Sequence, residues 1–354
     1  PIVQVASLFG IFGLSALVAA INSALAFALV ARARRAPQPH VPLVLTLAVV
    51  LLAGIWGSAR VTGAALLDEG EPLRVGLIQG NVDQADKMDA RRARGIYTAY
   101  LQMTRQAIFQ GAQFVAWPES AVPFIVEEDP AAADELRRVA AQARVPILVG
   151  ADQVERTRPA RYYNAALLID AQGTTAAFYR KMHLVPFGEY VPARQLFFFM
   201  SRLVEAVSDF SPGLEPTLLP VGTHRVSTSI CYEVVYPDLV RRFVNDGAEL
   251  LTTITNDAWF GPTSAPYQHF DQAAMRAVEN GRFLIRAANT GVSGIVDPYG
   301  RVVDATPIYQ SAIVVGDVRF LHSRTLYSRI GDVVAYASVA ATVVLLLAVR
   351  RRVQ

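Results

Sequence analysis

Glu119, Lys181 and Cys231 each stand at the end of a short apolar, β-prone run, at residues 113–117, 174–180 and 225–231. The cysteine is the only one in 354 residues, so no intramolecular disulfide can claim it. It is either a small apolar filler or a nucleophile. Each residue alone has an ordinary reading as well. Glu119 follows Trp117-Pro118 and could be a charge at a helix start, and Lys181 follows Arg180 as on a solvated face. In one pocket, however, the three have a joint chemistry. A carboxylate takes the thiol proton and returns it to a leaving group. An ammonium lowers the thiol pKa and stabilises the oxyanion of a tetrahedral intermediate, while the thiolate is transiently acylated.

The elements that must position these groups alternate. Strands are expected at 74–82, 113–117, 146–150, 225–231, 250–255, 283–289, 292–297 and 302–305, with a hairpin at 163–170 and 174–180. Helices are expected near 89–110, 134–143, 236–246 and 268–281. The order points to an α/β fold with a mixed sheet covered by helices, in which sites collect at strand ends. No sequence repeat is evident. The five histidines, at 40, 183, 224, 269 and 322, have no metal-ligand spacing, so no metal is expected. Asn256-Asp257 either lines the pocket or caps the turn before Trp259.

Hydrophobic residues make up 53% and charged residues 18% of the chain, with mean hydropathy +0.30. The excess is local. Residues 1–31, 41–59 and 333–349 carry no charged side chain. A bilayer core takes roughly 20 apolar helical residues, so all three read as transmembrane helices. Arg32, Arg34 and Arg35 in the first loop, and Arg350, Arg351 and Arg352 in the tail, place both clusters in the cytoplasm. The intervening domain then lies outside the cytoplasm. Residues 1–59 are expected to hold two spans, the end of a longer membrane region, and 60–72 a linker. Residues 73–325 form the catalytic domain and 331–350 the last span. The net charge of +3 comes partly from the arginine clusters and gives no reason to expect nucleic acid. A sole cysteine fits an oxidising compartment.

Several stretches carry a resemblance. Trp117-Pro118-Glu119-Ser120, the block Tyr179-Arg180-Lys181-Met182-His183-Leu184-Val185-Pro186-Phe187-Gly188-Glu189, and Ile230-Cys231-Tyr232-Glu233 resemble the three signature blocks of the nitrilase superfamily, the carbon-nitrogen hydrolases. Thr255-Asn256-Asp257-Ala258-Trp259-Phe260-Gly261 and Ala265-Pro266-Tyr267-Gln268-His269 are similar to its membrane branch, the apolipoprotein N-acyltransferases. The resemblance runs over residues 1–350. It implies a nitrilase-like α-β-β-α sandwich flanked by transmembrane helices. It implies Glu119 as base, Lys181 as oxyanion stabiliser and Cys231 as nucleophile. Glu189, Tyr232, Glu233, Asn256 and Trp259 are implied in support. Met88 stands where the family has Trp, a position suited to lining an acyl chain.

The resemblance further implies no cofactor, a phospholipid acyl donor, a diacylglyceryl-modified apolipoprotein acceptor and a thioester intermediate. The setting would be the bacterial inner membrane, with the catalytic domain on the periplasmic side. A membrane-tethered amidase or nitrilase that passes its acyl group to water uses the same triad and is the alternative. The run Phe197-Phe198-Phe199 is either a lid dipping into lipid or part of the core.

Overall fold

The computed structural model describes residues 1–34, 37–87, 89–126, 128–191 and 210–353. Arg35, Met88 and the Phe197–Phe199 run lie outside these residues. The chain divides into two compact units. One comprises 1–68, 278–281 and 323–354; the other comprises 69–277 and 282–322.

The first unit is helical. Its helices α1 (Ala6–Ala33) and α2 (Val41–Gly63) are joined by a short loop, and a further helix spans Val333–Val353. Three helices, Ile2–Ala33, Val41–Leu67 and Val333–Arg351, are long and apolar enough to cross a membrane. Helix α1 is kinked at Gly10, whose φ of 65° lies in the left-handed region. A Cβ there would come within 2.5 Å of the Tyr327 ring, so the close approach requires glycine. The kink interrupts the helical ladder, and the amide of Ile11 donates instead to Glu279 Oε1 at 2.8 Å. Helix α2 runs to Gly63, a 3-10 turn covers Ala65–Leu67, and the first strand begins at Glu71. Ordered elements therefore occupy most of the stretch read from sequence as a linker at 60–72. Likewise, a short helix Leu326–Ile330 precedes the last apolar helix.

The second unit holds twelve strands among the described residues. They are β1 (Glu71–Gln79), β2 (Phe114–Ala116), β3 (Ile147–Glu155), β4 (Arg161–Ile169), β5 (Thr175–Arg180), β6 (Leu219–Val221), β7 (His224–Ile230), β8 (Leu250–Thr255), β9 (Leu284–Ala288), β10 (Gly294–Val296), β11 (Val302–Ala305) and β12 (Ala312–Phe320). Its helices are α3 (Gln84–Lys87), α4 (Ala90–Phe109), α5 (Pro130–Ala143), α6 (Pro237–Asn245) and α7 (Ala265–Asn280). The strands form two six-stranded sheets, in the orders β12-β1-β2-β3-β4-β5 and β6-β7-β8-β9-β10-β11. Read in those orders, both sheets pair antiparallel, parallel, parallel, antiparallel, antiparallel. The fold is thus a structural duplication that the residues do not display as a sequence repeat.

Helices α4 and α5 pack on the first sheet around Tyr97, Tyr100, Leu101, Leu136 and Trp117. Helices α6 and α7 pack on the second around Val240, Val244, Phe270 and Ala273. This is an α-β-β-α sandwich. A strand buried on both faces must be apolar or internally satisfied along its whole length, and Leu250–Thr255 is buried at every position. Helix α5 begins four residues before the sequence suggests, because Asp129 caps the Ala132 amide and Pro130 occupies the first turn. Strands β6 and β12 were not expected. β12 pairs with β1 across some 240 residues of chain, from Glu71↔Phe320 to Gln79↔Ala312.

Candidate active site

Three loops at strand ends carry the site. The first follows β2. Trp117 is fully buried, stacks on Tyr100 with ring centroids 5.0 Å apart, and donates from Nε1 to Thr104 Oγ1 at 2.8 Å. That anchor fixes the chain just before Glu119. The loop then crosses Gly150 so closely that a Cβ there would lie 2.2 Å from the Pro118 carbonyl oxygen.

The Glu119 carboxylate is buried and held by three donors. Oε1 accepts from Asn164 Nδ2 at 2.7 Å and from Lys181 Nζ at 3.3 Å, and Oε2 accepts from the Asn256 amide at 2.8 Å. Lys181, at the end of β5, is only 1% exposed. Its ammonium also donates to Glu189 Oε1 at 2.9 Å. Burial works against the lysine charge, but the carboxylates of Glu119 and Glu189 outweigh it and hold the ammonium well above its ordinary range. Glu189 is kept in place by the Val185 amide at 2.8 Å and by Asn164 Nδ2 at 2.9 Å.

Cys231 directly follows β7 and opens a 3-10 turn, Cys231–Val235. Its φ of 52° is left-handed, a conformation that costs a non-glycine residue about 1–3 kcal/mol and must be imposed by its surroundings. Two buried groups impose it. Glu233 Oε2 accepts from the Ile230 amide at 2.8 Å. Glu233 Oε1 accepts from Tyr179 Oη at 2.7 Å and from the amides of Met182 and His183 at 2.6 and 3.0 Å. One carboxylate therefore ties the cysteine turn to the lysine loop. On the other side, His269 Nε2 lies 3.1 Å from the Cys231 carbonyl oxygen. Burial and then Arg286 depress the His269 pKa. The imidazole Nε2 faces that carbonyl, and its Nδ1 lies 3.0 Å from both Asp257 Oδ1 and Arg286 Nη2. Asp257 closes the cluster, with Oδ2 accepting from Arg286 Nη2 at 2.8 Å.

Burial and the neighbouring Glu119 charge push the Cys231 thiol up to about 12, against the opposing pull of Lys181. The sequence suggests a lysine-lowered thiol. Lysine does act in that direction, yet burial prevails, so the resting group is a neutral thiol that needs a base.

Of the supporting residues, Asn256 joins the site through its amide, and its side chain links Gln84 and Asn289 at 2.9 Å each. Tyr232 is partly exposed and packs edge-on against Tyr236 at 5.2 Å. Trp259 is 73% exposed on the turn after Asn256. Asn164, His269 and Arg286 were missed. Arg286 had a usable signal, since it is the lone polar residue of β9, and Asn164 stands just before the apolar run Ala165–Ile169 of β4. Lys87 was also missed. Its ammonium lies 3.5 Å from the Glu119 carbonyl oxygen, and burial lowers its pKa to about 8. The histidines have no metal-ligand spacing in the sequence, but the fold brings His224 and His322 together with Glu249.

Solved structures share the fold of this unit. A carbon-nitrogen hydrolase from Helicobacter pylori superposes with TM-score 0.55 at 16% identity, covering 70% of this chain and 89% of that one. An amidase from Nesterenkonia sp. gives 0.54 at 23% identity, covering 72% and 93%. Residues 74–323 match the carbon-nitrogen hydrolase family. Sequence relatives refine the class. The apolipoprotein N-acyltransferase of Geobacter metallireducens is 40% identical over 99% of this chain and 68% of its own length. That of Methylococcus capsulatus is 36% identical over 99% and 67%, and that of Pseudomonas paraeruginosa 36% over 80% and 55%. The chain therefore spans about two thirds of the first two relatives and about half of the third. It belongs to the carbon-nitrogen hydrolase family, in its apolipoprotein N-acyltransferase branch, a family of acyltransferases.

Proposed function

We propose that the chain moves an acyl group from a phospholipid onto Cys231 and then to the α-amine of an N-terminal diacylglyceryl-cysteine. The observation that carries this reading is the left-handed Cys231, held neutral by burial and within the fields of Glu119 and Lys181. The three apolar helices and the relatives' printed activity support the lipid substrates.

In the first step Glu119 accepts the thiol proton as Sγ attacks the ester carbonyl carbon. The carbonyl π-electrons move to oxygen, where the Lys181 ammonium stabilises them. Collapse of the intermediate breaks the bond to the ester oxygen. Glu119 returns the proton, and a lysophospholipid leaves. In the second step the amine attacks the thioester and Glu119 takes its proton. The C–S bond then breaks, giving the amide and the free thiol. Glu189 compensates Lys181 throughout, so the ammonium stays charged while Glu119 is protonated. Exposed Trp259, Phe260 and Phe187 offer apolar surface for lipid chains. In this reading the second unit lies on the periplasmic side of the inner membrane.

Hydrolysis by the same groups is the competing outcome. Incubating the full chain with phospholipid, then splitting it between buffer and a diacylated lipopeptide, separates the two. Transfer predicts a Cys231 acyl adduct that persists in buffer and is discharged by the lipopeptide. Equal discharge in both would replace transfer with hydrolysis.

A further inference from the structure

His224 opens β7, Glu249 immediately precedes β8, and His322 follows β12. They are far apart in sequence, yet one ligand atom from each lies within 4.8 Å of the other two. His322 Nε2 is 3.5 Å from Glu249 Oε2, and His224 Nδ1 is 2.5 Å from the same oxygen. We propose that His224, Glu249 and His322 form a divalent-cation site, suited to zinc, that staples the two sheets together.

The ligand set of two imidazoles and one carboxylate suits a borderline ion rather than magnesium or calcium. Tetrahedral coordination at about 2.0–2.2 Å separates ligand atoms by roughly 3.3–3.5 Å. The His322–Glu249 pair already has that separation. The His224–Glu249 pair must open by about 1 Å, and the proton it shares leaves to solvent as the cation enters.

The surroundings prepare His224 for this role. Its ring stacks on Phe320, with centroids 3.9 Å apart and planes within 6°. Its far nitrogen, Nε2, lies 3.0 Å from Glu71 Oε2 on β1. A carboxylate behind a ligating imidazole fixes its tautomer and raises its basicity. The Leu321 amide donates to the Glu249 carbonyl oxygen at 3.0 Å, holding the strand that delivers His322. Glu249 is nearly buried, whereas His322 is 72% exposed on its side chain. The exposed ligand leaves a route for entry and an open fourth position. Glu71 and His322 belong to the first sheet's strands and their continuation, His224 and Glu249 to the second, so a bound ion would cross-link the sheets.

The test uses the full chain in detergent, stripped with a chelator and then titrated with zinc against a chromophoric competitor, with thermal unfolding in parallel. The expected result is one zinc per chain at micromolar or tighter affinity and a raised Tm, with magnesium inert. His322→Ala, an exposed change that leaves the fold intact, should weaken zinc binding by more than about tenfold and abolish the Tm rise. Cys231→Ser should bind zinc as the parent does, which separates this site from the thiol. Absence of saturable binding, or undiminished binding in His322→Ala, would overturn the proposal.

Discussion

Two buried charged clusters flank the Cys231 turn, and they differ in what they can do with a proton. In front, Lys181 sits between Glu119 and Glu189, a set with one negative charge in excess. Behind, Asp257 and Arg286 neutralise each other, and His269 between them is depressed toward the neutral form. The front cluster can accept a proton without leaving its lysine unpaired. The rear cluster has no comparable capacity, and its contact with the chemistry is the bond from His269 to the Cys231 carbonyl. Charge balance thus separates a proton-moving cluster from one that holds the backbone, although both are buried and hydrogen-bonded.

This contrast predicts opposite signatures for substitution. Cys231→Ser should reduce acyl transfer to background with Tm preserved, as read by lipopeptide acylation and calorimetry. Glu119→Gln should lower turnover by about 10²–10⁴-fold, the usual worth of a general base. The same variant should nevertheless shift thiol alkylation to lower pH, because Glu119 raises the Cys231 pKa and Lys181 lowers it. An alkylation profile moving to higher pH would break the assignment of the front cluster. Arg286→Leu should instead act on stability, by about 3–5 kcal/mol, because it strands the buried Asp257 charge. A fully stable Arg286→Leu with altered turnover would erase the distinction.

The smallest effect concerns acid. Burial opposes the Asp257 charge, but Arg286 and then His269 hold its pKa down at about 2. A depressed carboxylate stabilises the fold above its unfolded pKa and loses that contribution as pH falls through the folded value. Between about pH 4 and 2 the loss is on the order of 2 kcal/mol. Asp257→Asn should flatten that part of the acid unfolding curve.

The front cluster was the more legible of the two in the sequence. Glu119, Lys181 and Cys231 each follow an apolar run, and a reactive residue at a strand end is a local pattern. Strands such as Leu250–Thr255 and Val302–Ala305 were likewise bounded by their own composition. The rear cluster was harder to read: Arg286 is a lone charge in β9, but His269 is one of many polar residues in α7, and Asp257 stood only as half of the Asn256-Asp257 pair. Their meaning depends on which strands become neighbours. β12 was missed for a related reason, as its partner β1 is distant in the chain. The duplication escaped notice because equivalent strands share pairing, not residues. The histidine set has no sequence spacing at all, since three separate chain segments supply it.

Acyl transfer through Cys231 is tested most directly by intact-mass analysis of the full chain after brief mixing with a phospholipid of defined acyl chain. The expected result is one adduct of that acyl mass, mapped to Cys231, sensitive to hydroxylamine, and lost when a diacylated lipopeptide is added. Lipopeptide acylation that proceeds at the full rate in Cys231→Ser would contradict it.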